Sequence, residues 1–157
     1  MLKLTKTEIL GLDIGSSSVK AVRLRKDESG YALSAAGIAE VAGSREGNNH
    51  LNTVNAIREC CGLIGNRTKL AVCALSGPEV AVRDFEFPSL STSEIDGAVL
   101  FEASQVCPFN AADSAVDYHL ISNGEDKTKG VLVAATNSLI AGKVNIVKEA
   151  ALRCVLM

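Results

Sequence analysis

The sequence predicts a mixed α/β fold of the α+β kind, built from two small units that join near Ser76. Three observations carry this expectation. Short stretches of alternating or continuous apolar residues recur between turn signals, which is the mark of strands. Three longer stretches read as helices, two of them with apolar residues at marked helical spacing: Val54, Ile57, Cys61 and Ile64 in the first, and Ile95, Ala98, Val99 and Val106 in the second. Nothing repeats at a fixed period, which excludes solenoids and propellers. At 157 residues and 47% hydrophobic the chain is long enough to bury a core without metal or disulfide staples.

The elements follow in order. Glu8 to Ile14 is a short apolar strand, Gly15-Ser16-Ser17-Ser18 a turn, and Val19 to Leu24 an alternating strand, so residues 8–26 read as a hairpin. A third strand, Tyr31 to Val41, follows the turn at Ser29-Gly30, and Gly43 to Asn49 is a polar loop. Asn52 or Thr53 is placed to cap a helix running to about Ile64, closed by Gly65-Asn66. The order to this point is β-β-β-α. Leu70 to Leu75 is a buried strand, Ser76-Gly77-Pro78 a turn, and Val80 to Phe87 a strand that Pro88 ends. Ser91 stands three residues before Glu94, the capping-box spacing, and opens a helix to Val106 that Pro108 stops. A strand Ala115 to Ile121, a turn at Asn123-Gly124, a very apolar strand Val131 to Thr136 and a helix from Ser138 to Arg153 complete the order β-α-β-β-α.

Composition excludes several classes of partner. Lys+Arg 16 against Asp+Glu 18 leaves a net charge of -2, without the basic footprint that nucleic acid or an anionic membrane requires. Aromatic residues at 4%, with no Trp, offer few platforms for stacking bases. Five cysteines, Cys60, Cys61, Cys73, Cys107 and Cys154, lack the paired spacings of a zinc site and read as small buried hydrophobes in a reducing compartment. Lys3, Lys6 and Glu8 interrupt the apolar residues of the amino terminus, so no signal-peptide core forms there. The expected location is the cytoplasm.

One segment is hard to explain by packing alone. In GLDIGSSSVK, Gly11 to Lys20, a strand delivers a carboxylate into a Gly-Ser turn. Gly15 lets the backbone approach a ligand closely, and Ser16, Ser17 and Ser18 add hydroxyl and N–H donors suited to phosphate oxygens. Asp13 offers the hard oxygen that Mg²⁺ prefers, acting through water and only with a nucleotide, and Lys20 a point charge. A plain hairpin with side-chain turns explains the same residues without a ligand. His50 and His119 have no nucleophile in an elbow beside them, Glu94 reads as a cap, and no catalytic residue is assigned. Phe85, Phe87, Phe101 and Phe109 are expected in the core rather than along an exposed groove, Asp117 with Tyr118 on a solvated sheet face, and the mixed charges Glu125 to Lys129 in the hairpin loop.

GLDIGSSSVKAV resembles the first phosphate-binding segment of the actin-like (RNase H-like) ATPase superfamily, and its three serines with Lys20 resemble the PilM family of type IV pilus assembly proteins. The stretch Phe85 to Ile121 is similar to the same family at Pro88, Glu94, Glu102-Ala103, Pro108-Phe109 and Asp117-Tyr118, and the likeness continues through VLVAAT and KEAALRC. The resemblance implies an actin-like fold with an inserted strand-helix-strand-strand (SHS2) subdomain: residues 1–76 as part of subdomain 1A with the phosphate hairpin, and 77–157 as subdomain 1C, ending after its last helix. It implies ATP and Mg²⁺ in a cleft between two halves, and docking of the cytoplasmic tail of a PilN-like membrane protein beside 1C. It further implies a cytoplasmic scaffold, peripheral to the inner membrane through partners, that couples the pilus alignment complex to motor proteins. A second phosphate hairpin and the Gly-Gly adenosine segment are absent, so the expectation is an amino-terminal fragment with one wall of the cleft. Such a fragment binds ATP weakly or not at all, and the full-length protein is at most a slow ATPase. An FtsA-like division protein shares the insertion; a sugar-kinase-like phosphotransferase would lack the Ser91 to Tyr118 stretch.

Overall fold

The computed structural model describes residues 7–43, 49–124 and 126–156. Its elements run β1 (Thr7–Ile14), β2 (Ser18–Asp27), β3 (Gly30–Glu40), α1 (Asn49–Leu63), β4 (Leu70–Cys73), β5 (Val80–Pro88), α2 (Thr92–Val106), a single 3-10 turn (Ala111–Asp113), β6 (Ser114–Asn123), β7 (Lys127–Thr136), α3 (Asn137–Glu149) and β8 (Arg153–Leu156). The segments 1–6 and 44–48, which hold the amino-terminal stretch and most of the expected polar loop, lie outside the described residues, as does Glu125.

The chain divides into two compact units. One takes everything to Ala74 together with Gly142 onward, and the other takes Leu75–Ala141. Residues 142–157 therefore rejoin the first unit, whereas the sequence reading assigns all of 77–157 to the second. The reason is β8, a strand beyond the last helix that the reading does not include: it pairs parallel with β4 through Leu70↔Arg153 and Ala71↔Cys154.

The first unit is a five-stranded sheet in the order β3-β2-β1-β4-β8. β1 and β2 form the expected hairpin, with Asp13 opposite Lys20 and Ile14 opposite Val19, and β1 pairs parallel with β4. Period-two alternation sends Leu10, Leu12 and Ile14 to one face, where they pack with Val19, Ala21, Ala39, Ala71 and Cys73 against Val54, Ile57 and Cys60 of α1, Ile64 just after it, Val147 of α3 and Leu152 between α3 and β8. A fully buried Leu or Ile of this kind contributes about 1.5–3 kcal/mol. Cys60 rather than Cys61 is the residue turned fully inward. α1 starts one turn before the expected caps. Asn52 instead donates to the Ala42 carbonyl (2.7 Å) and Thr53 back-bonds to Asn49 (2.6 Å), so both residues serve inside the first turns.

Both helices of this unit end in the same device. After α1, Asn66 N–H bonds Cys61 O and Gly65 N–H bonds Gly62 O, with Gly65 at φ 57°. After α3, Leu152 N–H bonds Val147 O and Ala151 N–H bonds Lys148 O, with Ala151 at φ 63°. These are Schellman closures, in which the residue after the cap is left-handed, a conformation that favours glycine. Here α3 stops four residues short of the expected Arg153 and the chain turns into β8.

The second unit is a three-stranded antiparallel sheet, order β5-β7-β6, with α2 on one face. Phe85 and Leu132 pack with Ile95, Val99 and Ala103 of the helix, joined at the margin by Phe87, Val116, Tyr118 and Leu120. The Glu94 carboxylate reaches back to the Ser91 N–H (2.9 Å) and hydroxyl (2.6 Å), completing the reach-back half of the capping box, and these bonds hold its pKa below the ordinary value. Phe101 is 68% exposed, against the expectation of core packing, because the α2 stripe that meets the sheet is Ile95-Val99-Ala103. Tyr118 is half-buried against Phe85, and its hydroxyl donates to Asp96 (2.6 Å). β7 begins four residues before the expected Val131: Lys127 and Lys129 belong to the strand, where both pair with Glu86 of β5, and Thr128 between them is fully buried. Gly130 is required at its position, since a Cβ there would lie 2.6 Å from the His119 carbonyl and 2.4 Å from the Phe85 ring.

Two predictions follow from this geometry. Ala151→Gly relieves the left-handed alanine and should raise unfolding stability by about 0.5–1 kcal/mol, read as a higher urea midpoint at unchanged slope. Hydrogen bonds from Lys127 and Lys129 depress the Glu86 carboxyl from 4.5 to about 2. A depressed folded pKa adds stability that is complete above the unfolded value and disappears as pH falls through the folded one. Glu86→Gln should therefore melt below the wild type at neutral pH, with the gap closing between pH 4.5 and 2.

Candidate functional site

The residues singled out in the sequence come together at the carboxyl end of β1. Gly15 N–H donates to the Ser18 carbonyl (3.0 Å), which closes the turn, and Val41 N–H donates to Ser17 O (2.9 Å), which ties the turn to the end of β3. A Cβ on Gly15 would sit 3.1 Å from Ser18 O, so the tight turn needs glycine. Ser16 and Ser17 are exposed and Ser18 is half-buried. Asp13 and Lys20, opposite each other in the ladder, project from the face away from the core and form an exposed ion pair at 3.0 Å.

β4 ends beside this turn. Leu12 is paired with Cys73, and Ala74 N–H donates to Leu12 O (3.1 Å). Ligands of open sheets with parallel strands collect at such carboxyl ends. Burial and then the neighbouring Cys154 push the Cys73 thiol up to about 12, so it is inert there.

The structure adds a residue that sequence reasoning missed. Lys143 of α3 donates through Nζ to the Ile14 carbonyl at 2.9 Å, from 129 residues further along the chain. No local pattern marks it; only the return of α3 to the first sheet places it beside the turn.

The donor set fits an anion with an accompanying hard cation: serine hydroxyls on a glycine turn, two lysines and one outward carboxylate. Among the described residues no group of three His, Cys, Asp or Glu side chains converges on a metal. Asp13 would thus be a single oxygen ligand, a pattern that suits Mg²⁺ when phosphates and water supply the rest. The other titratable candidates are structural. His50 Nε2 meets Glu149 (2.9 Å), whose backbone carbonyl also takes Arg58 (2.7 Å), and Glu94 is a helix cap. None of the five cysteines, all among the described residues, forms a disulfide; Cys60 and Cys73 are buried and the others half-buried.

A sheet ordered β3-β2-β1-β4-β8 with a glycine-serine hairpin leaving its middle strand is the α+β arrangement of the actin-like ATPase fold. The family model described as type IV pilus assembly protein PilM matches residues 11–157, and the chain belongs to that family. A solved structure described as a PilM-PilN type IV pilus biogenesis complex superposes at TM-score 0.80 and 23% identity, covering 97% of this chain and 47% of that one. The cytoplasmic domain of EpsL, an inner-membrane component of the type II secretion system of Vibrio cholerae, superposes at TM-score 0.60 and 14% identity, covering 96% of this chain and 57% of that one. The chain thus spans about half the length of the solved chains it matches. No helix among the described residues is long and apolar enough to cross a membrane.

Because the Asp13–Lys20 pair is more than half exposed on both sides, it should contribute less than about 1 kcal/mol. Asp13→Asn and Lys20→Met are expected to unfold within that margin of the wild type in urea. A larger loss would make the pair a structural element of the hairpin.

Proposed function

We propose that this chain is part of a PilM-type scaffold of type IV pilus assembly, whose intact form holds ATP with Mg²⁺ at the Asp13–Lys20 hairpin and docks the amino-terminal tail of a PilN-like inner-membrane protein. The observation that carries the reading is the family match, which runs through the hairpin and across both compact units. The units correspond in this reading to subdomain 1A, with β8 as its fifth strand, and to an SHS2-type subdomain 1C formed by β5, α2, β6 and β7. The solved relative described as a PilM-PilN complex supports a PilN-like partner, and the absence of a spanning helix among the described residues fits attachment to the inner membrane through that partner on the cytoplasmic side.

At the hairpin, Ser16, Ser17 and Ser18 would donate to phosphate oxygens, Lys20 would neutralise charge once it leaves Asp13, and Asp13 would orient water on Mg²⁺. The nucleotide supplies the phosphates that complete the metal's shell. Ordering of the hairpin would bias subdomain 1C and so the affinity for the peptide.

Two measurements test this. Calorimetry of residues 1–157 with Mg-ATP should give no binding in the micromolar range, since one wall leaves the phosphates in water; micromolar affinity would overturn the one-wall reading. In the intact protein, Asp13→Ala should weaken both Mg-ATP and the PilN-like peptide. Unchanged affinity for both would sink the coupling.

A further inference from the structure

We infer that Lys143 is the phosphate-facing cation of the hairpin, an anion-binding residue supplied by α3, and that Lys20 is the secondary one. The inference rests on reading the hairpin as a phosphate site, and it assigns the charge within that site.

Two cations border the turn, and their surroundings differ. Lys20 is 60% exposed and paired with a carboxylate, so its charge is already compensated by Asp13 and screened by water. Lys143 is half-buried, and its partner among the described residues is the neutral carbonyl of Ile14, the residue immediately before Gly15. An ammonium carries three N–H donors. The Ile14 carbonyl takes one and fixes where the group sits, leaving donors to spare at the entrance to the turn.

Partial burial also raises the effect of the charge. A cation at an effective dielectric nearer 20 than 80 attracts a phosphate several times more strongly at equal distance. The charge of Lys143 is felt at the end of β4 as well, where it lowers the Cys73 pKa against the dominant effect of burial, so it bears on both strand ends that frame the turn. Anions of the polyphosphate class, with charge on adjacent phosphates, suit a turn bordered by serine donors and one ammonium held at the Ile14 carbonyl, with a second, exposed ammonium paired to Asp13 on the ladder.

The test is an amide chemical-shift titration of residues 1–157 with Mg-ATP, sodium tripolyphosphate and AMP at millimolar concentrations, where weak binding is still visible. The wild type should show Gly15 to Ser18 moving with the two polyphosphates and much less with AMP. Lys143→Met should weaken polyphosphate binding by about tenfold, the loss of one charge-assisted hydrogen bond. Lys143→Arg should restore most of it, and Lys20→Met should cost less than Lys143→Met. Thermal melting of each variant checks that it is folded, and Lys143→Gln is read in place of Lys143→Met if the latter is not. Binding by the wild type that Lys143→Met leaves intact, or that Lys20→Met weakens more, overturns the assignment while sparing the hairpin. Hairpin amides that ignore both polyphosphates overturn the phosphate reading itself and the assignment with it.

Discussion

The pairing of β1 on both of its edges is the constraint from which the site follows. β2 holds it antiparallel and β4 holds it parallel, so neither its register nor its facing can slip without cost. A slip of one residue would turn Leu10, Leu12 and Ile14 out of the core and Ile9, Gly11 and Asp13 into it. Burial of three large side chains, each at 4% exposure or less, therefore decides that Asp13 points to solvent and that the turn begins at Gly15. The chemistry of the hairpin is placed by hydrophobic burial of the neighbouring residues.

Local signals carried most of the fold. The β1–β2 hairpin, the core stripe Val54, Ile57 and Ile64, the capping box at Ser91 and Glu94, and the α2 stripe through Ile95 and Val99 were all legible, because each is a short-range pattern. What escaped depends on partners far along the chain. Lys127 to Gly130 look like a charged loop until Glu86 lies opposite them. The end of α3 was hidden because alanine, not glycine, occupies the left-handed position at residue 151, and without that stop the apolar run hides the start of β8. The exposed Phe101 shows the converse: an aromatic beside a helical stripe need not belong to it.

The geometry of the candidate hairpin was legible to the same degree and for the same reason. Asp13, Gly15, the serines and Lys20 are contiguous, and strand pairing alone brings them together. Lys143 is contributed by topology. Once β8 joins β4, the end of α3 lies against the first sheet, and Lys143, one turn before the buried Val147, reaches the end of β1. A chain read as two successive domains has no reason to bring residue 143 to residue 14, so the different division into compact units and the missed lysine have one origin.

The energetics of an open hairpin follow from its exposure. An ion pair in water contributes little, so Asp13 and Lys20 can separate and re-pair with a metal or a phosphate at small cost, which makes them exchangeable rather than tight. Hydrogen bonds from exposed serines replace bonds to water and add little net affinity. Strong phosphate binding needs water removed from around these groups, and a turn at the end of one sheet cannot enclose a ligand by itself. The half-buried Lys143 is the exception, since protein already shields part of its surroundings. In the proposed reading, selectivity for charged phosphates is built into this unit, while the strength of binding depends on how far water is removed from the hairpin.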